Sequence, residues 1–285
     1  MKSISALALT VLAPVAGLLF AAARAPDDQP ARPTSDYAEV NGLRMYYEIH
    51  GTGEPLVLLH GGLSTIESTF AKVLPSLAKT RQVIAIEQQG HGHTADIDRP
   101  LSYEQMADDT DALLKHLKVE NADFFGWSDG ANVTLQLAIR HLTRVRKLVL
   151  LGACIDSEDA LEPEILAWVK DAKPEDFGPE VKAAYTKAAP NPAEWPTLIA
   201  KLKLLWTESK PMSTTALQSI EVPVLVMAGD RGGDRPEHAV RLYRTLPNAQ
   251  LAVLPGTSRF ALLERAEWVL LIMGPFLDAP TPEAK

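Results

Sequence analysis

The sequence predicts an α/β fold: a mostly parallel, eight-stranded sheet with helices on both faces and a helical cap inserted after the sixth strand. Three observations predict it. Short, almost continuously apolar runs recur along the chain, helix-like segments separate most of them, and one long proline-rich interval breaks the alternation. Strands that are apolar at every position suit burial on both faces, which a parallel sheet covered by helices provides. With 285 residues, 46% of them apolar, the chain is long enough to bury a sizeable core.

The first residues place Lys2 before an apolar stretch from Ile4 to Phe20 and then small residues, the order of an export signal. Residues 1–23 are therefore expected to be a signal peptide, cleaved near Ala23 to give a periplasmic or secreted protein. Pro14 and Gly17 interrupt the stretch, which barely reaches the roughly 20 residues that cross a bilayer, so no stable membrane anchor is expected after cleavage. Residues 24–36, rich in Pro, Asp and Ala, read as a linker.

In "YAEVNGLRMYYEIHG" two alternating segments flank Asn41-Gly42, the strongest short hairpin signal, so the folded part opens on an antiparallel pair. Six apolar runs follow: "PLVLLH" (55–60), "QVIAIE" (82–87), "ADFFGW" (122–127), "RKLVLLGA" (146–153), "VPVLVMAGD" (222–230) and "AQLAVLPG" (249–256). Helices are expected over 68–78, 103–117, 129–141, 236–246 and 261–277; in the second, Ser102 can cap while Met106, Leu113, Leu114 and Leu117 form one apolar face. The sheet domain is assigned to 37–153 and 221–280, with a short tail over 281–285. The interval 154–220 has no convincing strand and reads as the cap. Its Trp168, Trp195 and Trp206 are expected to face a substrate pocket together with His60, Trp127 and Phe260; the alternative, aromatic residues filling the cap's own core, stays open.

A net charge of −8 without a basic cluster argues against a nucleic-acid partner and favours a small-molecule ligand. Cys154 is the single cysteine, so the fold relies on its core rather than on disulfides. There is no phosphate loop and no dinucleotide fingerprint, so no cofactor is expected. His91-x-His93 lacks a third ligand in sequence, and no metal is expected either. The sequence carries no signal for an oligomeric state.

Chemistry concentrates at "GWSDG", Gly126 to Gly130, which has the G-x-S-x-G pattern between an apolar strand and a helix. The spacing places Ser128 on a sharp turn that only glycines two residues away tolerate, lifting its hydroxyl to the carboxyl edge of the sheet. The following N–H, that of Asp129, then aims where an oxyanion would develop, at a helix N-terminus. "LLHGGLS" follows the first parallel strand, and Gly62 or Leu63 supplies a second N–H there.

These motifs, with "EQQGHGHTAD" (87–96), "AGDRGGDRPEHA" (228–239) and "LPGTSRF" (254–260) in order, resemble the α/β-hydrolase fold superfamily. The likeness is to small capped serine esterases and hydrolases, similar to valacyclovir-hydrolase-like and C–C-hydrolase-like members, and covers about residues 37–280. The resemblance implies a Ser, Asp, His order, with the acid after "VPVLVMAGD" and the base after "AQLAVLPG". It also implies G-x-x-D and G-x-x-H loops, and in this chain those positions hold Gly232 and Arg259. Without the base nothing accepts the serine proton, and a guanidinium stays protonated at physiological pH. Asp234 is the candidate substitute acid; His60, His91 and His93 sit on loops at the correct sheet edge, and His238 reads as a partly exposed polar residue.

Two functional classes follow. One is a serine hydrolase acting by acyl transfer through Ser128 on a small ester, amide or lactone, with activity weakened or lost. The other is a binding protein that uses the capped pocket without turnover, in which Arg259 attracts a carboxylate-bearing ligand or else turns out to solvent.

Overall fold

The computed structural model describes residues 33–232 and 234–280. The expected signal peptide, most of the linker and the 281–285 tail lie outside the described residues. Strand β1 (Thr34–Val40) begins inside the stretch read as linker, and β2 (Leu43–His50) pairs with it antiparallel. Asn41 and Gly42 between them have φ 49° and 80°, the left-handed pair that a two-residue hairpin with matching twist demands.

Six more strands complete one eight-stranded sheet: β3 (Glu54–Leu59), β4 (Arg81–Ile86), β5 (Ala122–Trp127), β6 (Val145–Leu151), β7 (Val224–Gly229) and β8 (Ala249–Leu254). Their order is β1-β2-β4-β3-β5-β6-β7-β8, antiparallel where β2 meets β1 and β4 and parallel elsewhere. Successive residues of a strand point to opposite faces, and both faces are buried. Val57, Leu59, Phe124, Leu148 and Leu150 share one core, while Leu56, Leu58, Phe125, Val149 and Leu151 share the other. This is why the runs read as continuously apolar.

The second core is covered by α1 (Ile66–Phe70), α2 (Leu74–Leu77) and, at the far end of the chain, two helices described below. The single helix expected over 68–78 is thus two short ones, the second starting at Pro75's turn. The first core is covered by α3 (Tyr103–His116), capped by Ser102 as expected, and α4 (Asp129–Arg140). Between β6 and β7 the described chain forms α5 (Ser157–Ala160), α6 (Pro163–Asp171), α7 (Pro179–Ala188), α8 (Trp195–Glu208) and α9 (Thr214–Gln218). This insertion packs on the sheet domain through Leu198, Leu202 and Leu205, and through the Lys201–Asp96 ion pair at 2.6 Å. Helix α10 (Pro236–Thr245) precedes β8, and the expected 261–277 helix is broken at Arg265 into α11 (Ala261–Glu264) and α12 (Ala266–Asp278).

Candidate active site

Strand β5 is buried at all six positions and delivers the chain to Ser128, whose φ of 54° and ψ of −117° lie outside the regions an ordinary residue adopts. A non-glycine residue held there stores on the order of 1–3 kcal/mol of strain, sustained by its surroundings. The Ser128 N–H donates to Leu151 O at 2.8 Å, and its carbonyl accepts from the N–H groups of Ala131 and Asn132 as α4 starts. A Cβ on Gly126 would lie 2.3 Å from Gly130 O, and one on Gly130 would lie 2.0 Å from Leu59 O. Both contacts are with backbone, which explains the spacing of the motif. One turn into α4, buried Asn132 accepts from Cys154 N–H at 2.9 Å and donates to Cys154 O at 3.0 Å, fixing the end of β6 against the elbow helix.

The loop after β3 closes on the same point. A Cβ on Gly61 would be 3.1 Å from Ser128 Cβ, and Leu63 takes a φ of 61°. Among the described residues, the N–H groups of Gly62, Leu63 and Asp129 have no hydrogen-bond partner. The Asp129 carboxylate, which the sequence reading did not single out, is buried here: Oδ1 accepts from the Tyr103 hydroxyl at 2.9 Å and Oδ2 from Trp206 Nε1 at 2.8 Å. A Cβ on Gly62 would lie 2.4 Å from Asp129 Oδ2 and 2.6 Å from Trp206 Cζ2, so glycine is required for this approach as well.

Positions 232 and 259 each have a defined geometry. Gly232 has φ +90°, and a Cβ there would fall 2.6 Å from Ser258 Cβ. Arg259 turns inward rather than to solvent: its Nη1 stands 3.5 Å from Asp234 Oδ1, and its carbonyl accepts from Trp127 Nε1 at 2.7 Å. Asp234 is carried there by a bridge to Leu161, next to a hydrogen bond from Arg235 N–H to Ala160 O at 2.8 Å. Its Oδ1 is buried and accepts no hydrogen bond, so the contact with Arg259 is an ion pair without hydrogen-bond alignment. Burial pushes the Asp234 carboxyl up, while Arg259 and His238 pull it down.

No histidine reaches Ser128 Oγ among the described residues. His60 is buried; its Nε2 accepts from Gln88 N–H at 3.1 Å, so Nδ1 carries the proton and donates to Gly61 O at 2.8 Å. Burial holds its pKa down at about 3. His91 bonds Gln89 O through Nδ1, and its buried Nε2 has no partner; His93 lies on Glu87 at 2.9 Å. His238 is not partly exposed as expected. It is buried, with Nδ1 on Asp159 at 2.6 Å and Nε2 accepting from Ile155 N–H at 3.2 Å. Cys154 is a half-buried thiol, and desolvation pushes it up to about 11.

Two cavities lie near the sheet edge, and the six expected pocket residues are placed apart from them. A cavity of about 490 Å³ lies on the far side of Tyr103, walled by Leu101, Cys154, Ile155, Leu205 and Met212, and another of about 590 Å³ lies beside Glu87 and His93. None of His60, Trp127, Trp168, Trp195, Trp206 and Phe260 lines either one. Trp195 is a core residue of the insertion, 5.3 Å from the Tyr185 ring and donating to Pro174 O. Trp127 is packed in the second core. Trp168 and Phe260 are largely exposed, their edges on Phe177 and Trp127. Trp127 belongs to the elbow itself, and Trp206 reaches it from the insertion through Asp129.

A family model described as "Alpha/beta hydrolase family" matches residues 56–270. The chain belongs to the alpha/beta hydrolase family. It is 28% identical over 235 residues to serine hydrolase BPHL of Mus musculus, covering 78% of this chain and 79% of that one. It is 37% identical over 115 residues to 2-hydroxymuconate semialdehyde hydrolase of Pseudomonas sp. (strain CF600), covering 39% of this chain and 41% of that one. Est816, described as an N-acyl homoserine lactone degrading enzyme, superposes with a TM-score of 0.67 at 26% identity, over 84% of this chain and 99% of its own. Within this hydrolase family the chain combines an elbow serine, unpartnered N–H groups on the loops beside it and a cation–carboxylate pair near the elbow. Among the described residues, no imidazole is hydrogen-bonded to Ser128 Oγ.

Proposed function

We propose that the chain is an exported serine hydrolase of the family that transfers an acyl group to Ser128 from a small ester, amide or lactone, far more slowly than a complete triad. The observation that carries the reading is the Arg259–Asp234 ion pair at 3.5 Å, at the loops where the family resemblance implies a base and an acid. Loss of the base from a serine triad costs roughly 10⁶-fold in kcat, while oxyanion donors and binding retain about 10³- to 10⁴-fold over water. The activities that name the relatives, serine hydrolysis and lactone degradation, support the substrate class. The leader with Lys2 and the Ile4–Phe20 stretch supports export.

A second reading is favoured by one observation: Arg259 points inward and, beyond Asp234, its side-chain N–H groups meet no acceptor among the described residues. On that reading the site holds a carboxylate-bearing small molecule without turning it over. A serine-directed fluorophosphonate and p-nitrophenyl ester assays separate the two. Slow labelling and slow turnover, both abolished by Ser128→Ala, support the hydrolase. Turnover at an ordinary enzyme rate sinks the weakened-site reading, and no labelling at all supports the binding protein.

A further inference from the structure

Resting on the acyl-transfer reading, we propose that the acid of this site has moved two residues along the chain, from 232 to Asp234, and that Arg259 is the only missing part of a working relay. Two independent observations point there. First, position 232 no longer has room for an acid: its φ is +90°, and any side chain would begin 2.6 Å from Ser258 Cβ. Restoring aspartate at that position requires the Ser258 loop, the segment that carries residue 259, to move. Second, Asp234 already does what an orienting acid does. The Leu161 bridge and the Arg235–Ala160 hydrogen bond hold its backbone, its Oδ1 is buried, and that oxygen faces the side chain of residue 259 with its hydrogen-bonding capacity unused. A carboxylate oxygen buried without a hydrogen bond is costly, and a ring N–H arriving from residue 259 satisfies it.

Arg259→Ser or Ala removes the cation without adding a base; Arg259→His adds one. In that variant the introduced imidazole donates through one nitrogen to Asp234 and takes the Ser128 Oγ proton on the other as Oγ bonds to the carbonyl carbon. The carbonyl π pair moves to the oxygen held by the Gly62, Leu63 and Asp129 N–H groups. The same proton then passes to the leaving oxygen as its bond to carbon breaks. Water repeats the two transfers to release the acid and free the serine.

The test is ester hydrolysis by the full chain carrying Arg259→His, alone and with Asp234→Asn or Gly232→Asp, each checked by thermal melting. The expected result is a rise in kcat/KM of more than about 100-fold over the native chain, with a sigmoidal dependence on pH that the native chain lacks. Adding Asp234→Asn removes at least about 10-fold of the gain and lowers the apparent pKa of the remaining activity, because the imidazolium loses its carboxylate. Adding Gly232→Asp gives no further gain. Should Arg259→His fail to fold, Arg259→Gly with free imidazole in the buffer replaces it, and rescue that depends on Asp234 is the expected outcome. The proposal is overturned if the folded variants gain nothing, if Asp234→Asn leaves the gain intact, or if the gain appears only with Gly232→Asp. A gain that survives Ser128→Ala overturns acyl transfer through Ser128, and is distinguishable because it needs no serine.

Discussion

Asp129 Oδ2 and Trp206 Nε1 are joined by a 2.8 Å hydrogen bond that runs from the residue after Ser128 to the longest helix of the insertion. The other carboxylate oxygen is held by Tyr103, so one buried anion ties α3, α4 and α8 together. The bond also places an indole and a carboxylate against Gly62, on the loop after β3.

Trp206→Phe keeps a ring but removes the donor, leaving half of a buried carboxylate unsatisfied. Chemical denaturation is expected to register a loss of about 1–3 kcal/mol. Fluorophosphonate labelling of Ser128 should accelerate in the same variant as α8 loosens from the elbow. Unchanged stability in urea would show that the bond contributes nothing.

Gly130→Ala inserts a methyl 2.0 Å from Leu59 O, and Gly126→Ala inserts one 2.3 Å from Gly130 O. Backbone cannot withdraw as a flexible side chain does, so each should cost about 3 kcal/mol or more. Gly256→Ala is the control for a lost glycine with open space around it, its penalty coming from φ 69° alone. Melting temperatures of the three variants check the order.

The Arg259–Asp234 pair is half-buried, with side-chain exposures of 23% and 21%. Arg259→Met leaves the carboxylate buried without a partner and should destabilise by about 1–3 kcal/mol, less than a fully enclosed pair. Adding Asp234→Asn should recover part of that loss. A double-mutant cycle in urea measures the coupling, and strict additivity would mean that the two charges do not interact.

Stability should fall with acid through the buried imidazoles. His60, His91 and His238 are all held down by burial, His60 at about 3. The unfolded chain binds protons at these residues near pH 6.5 while the folded chain refuses them. Their contribution is therefore complete above about pH 6.5 and lost below it, by up to about 1.4 kcal/mol per pH unit for each. Asp123, pushed up to about 6 by burial against the pull of Arg81, acts in the opposite direction between its ordinary 3.8 and that value. The difference between parent and His60→Gln isolates the histidine: the variant's urea midpoint should decline less from pH 7 to pH 5, and equal slopes would refute the assignment.

What could be read along the chain depended on how local its cause was. The Asn41-Gly42 turn, the Ser102 cap and the two-faced strands follow from neighbouring residues, and so does the elbow, whose glycines exclude side chains from one another's path. Residues 232 and 259 were flagged because they depart from a family pattern, but the inward turn of Arg259 and its pairing with Asp234 depend on the Leu161 bridge, made by a segment far away in sequence. The roles of the tryptophans were illegible for the same reason. Trp195 and Trp206 stand on one helix of alternating apolar character, and only their partners, Pro174 O and the Asp129 carboxylate, distinguish a core residue from one that touches the elbow.

Asn132 has a mechanical consequence. By exchanging two hydrogen bonds with the backbone of Cys154, its side chain imitates one more rung of the sheet. The rung belongs to the helix that follows Ser128, so two hydrogen bonds clamp the stem of the insertion to the support of that serine. The chain that leaves β6 for the insertion is thereby held to the elbow helix as far as Cys154, and the insertion's own helices begin only beyond that clamp.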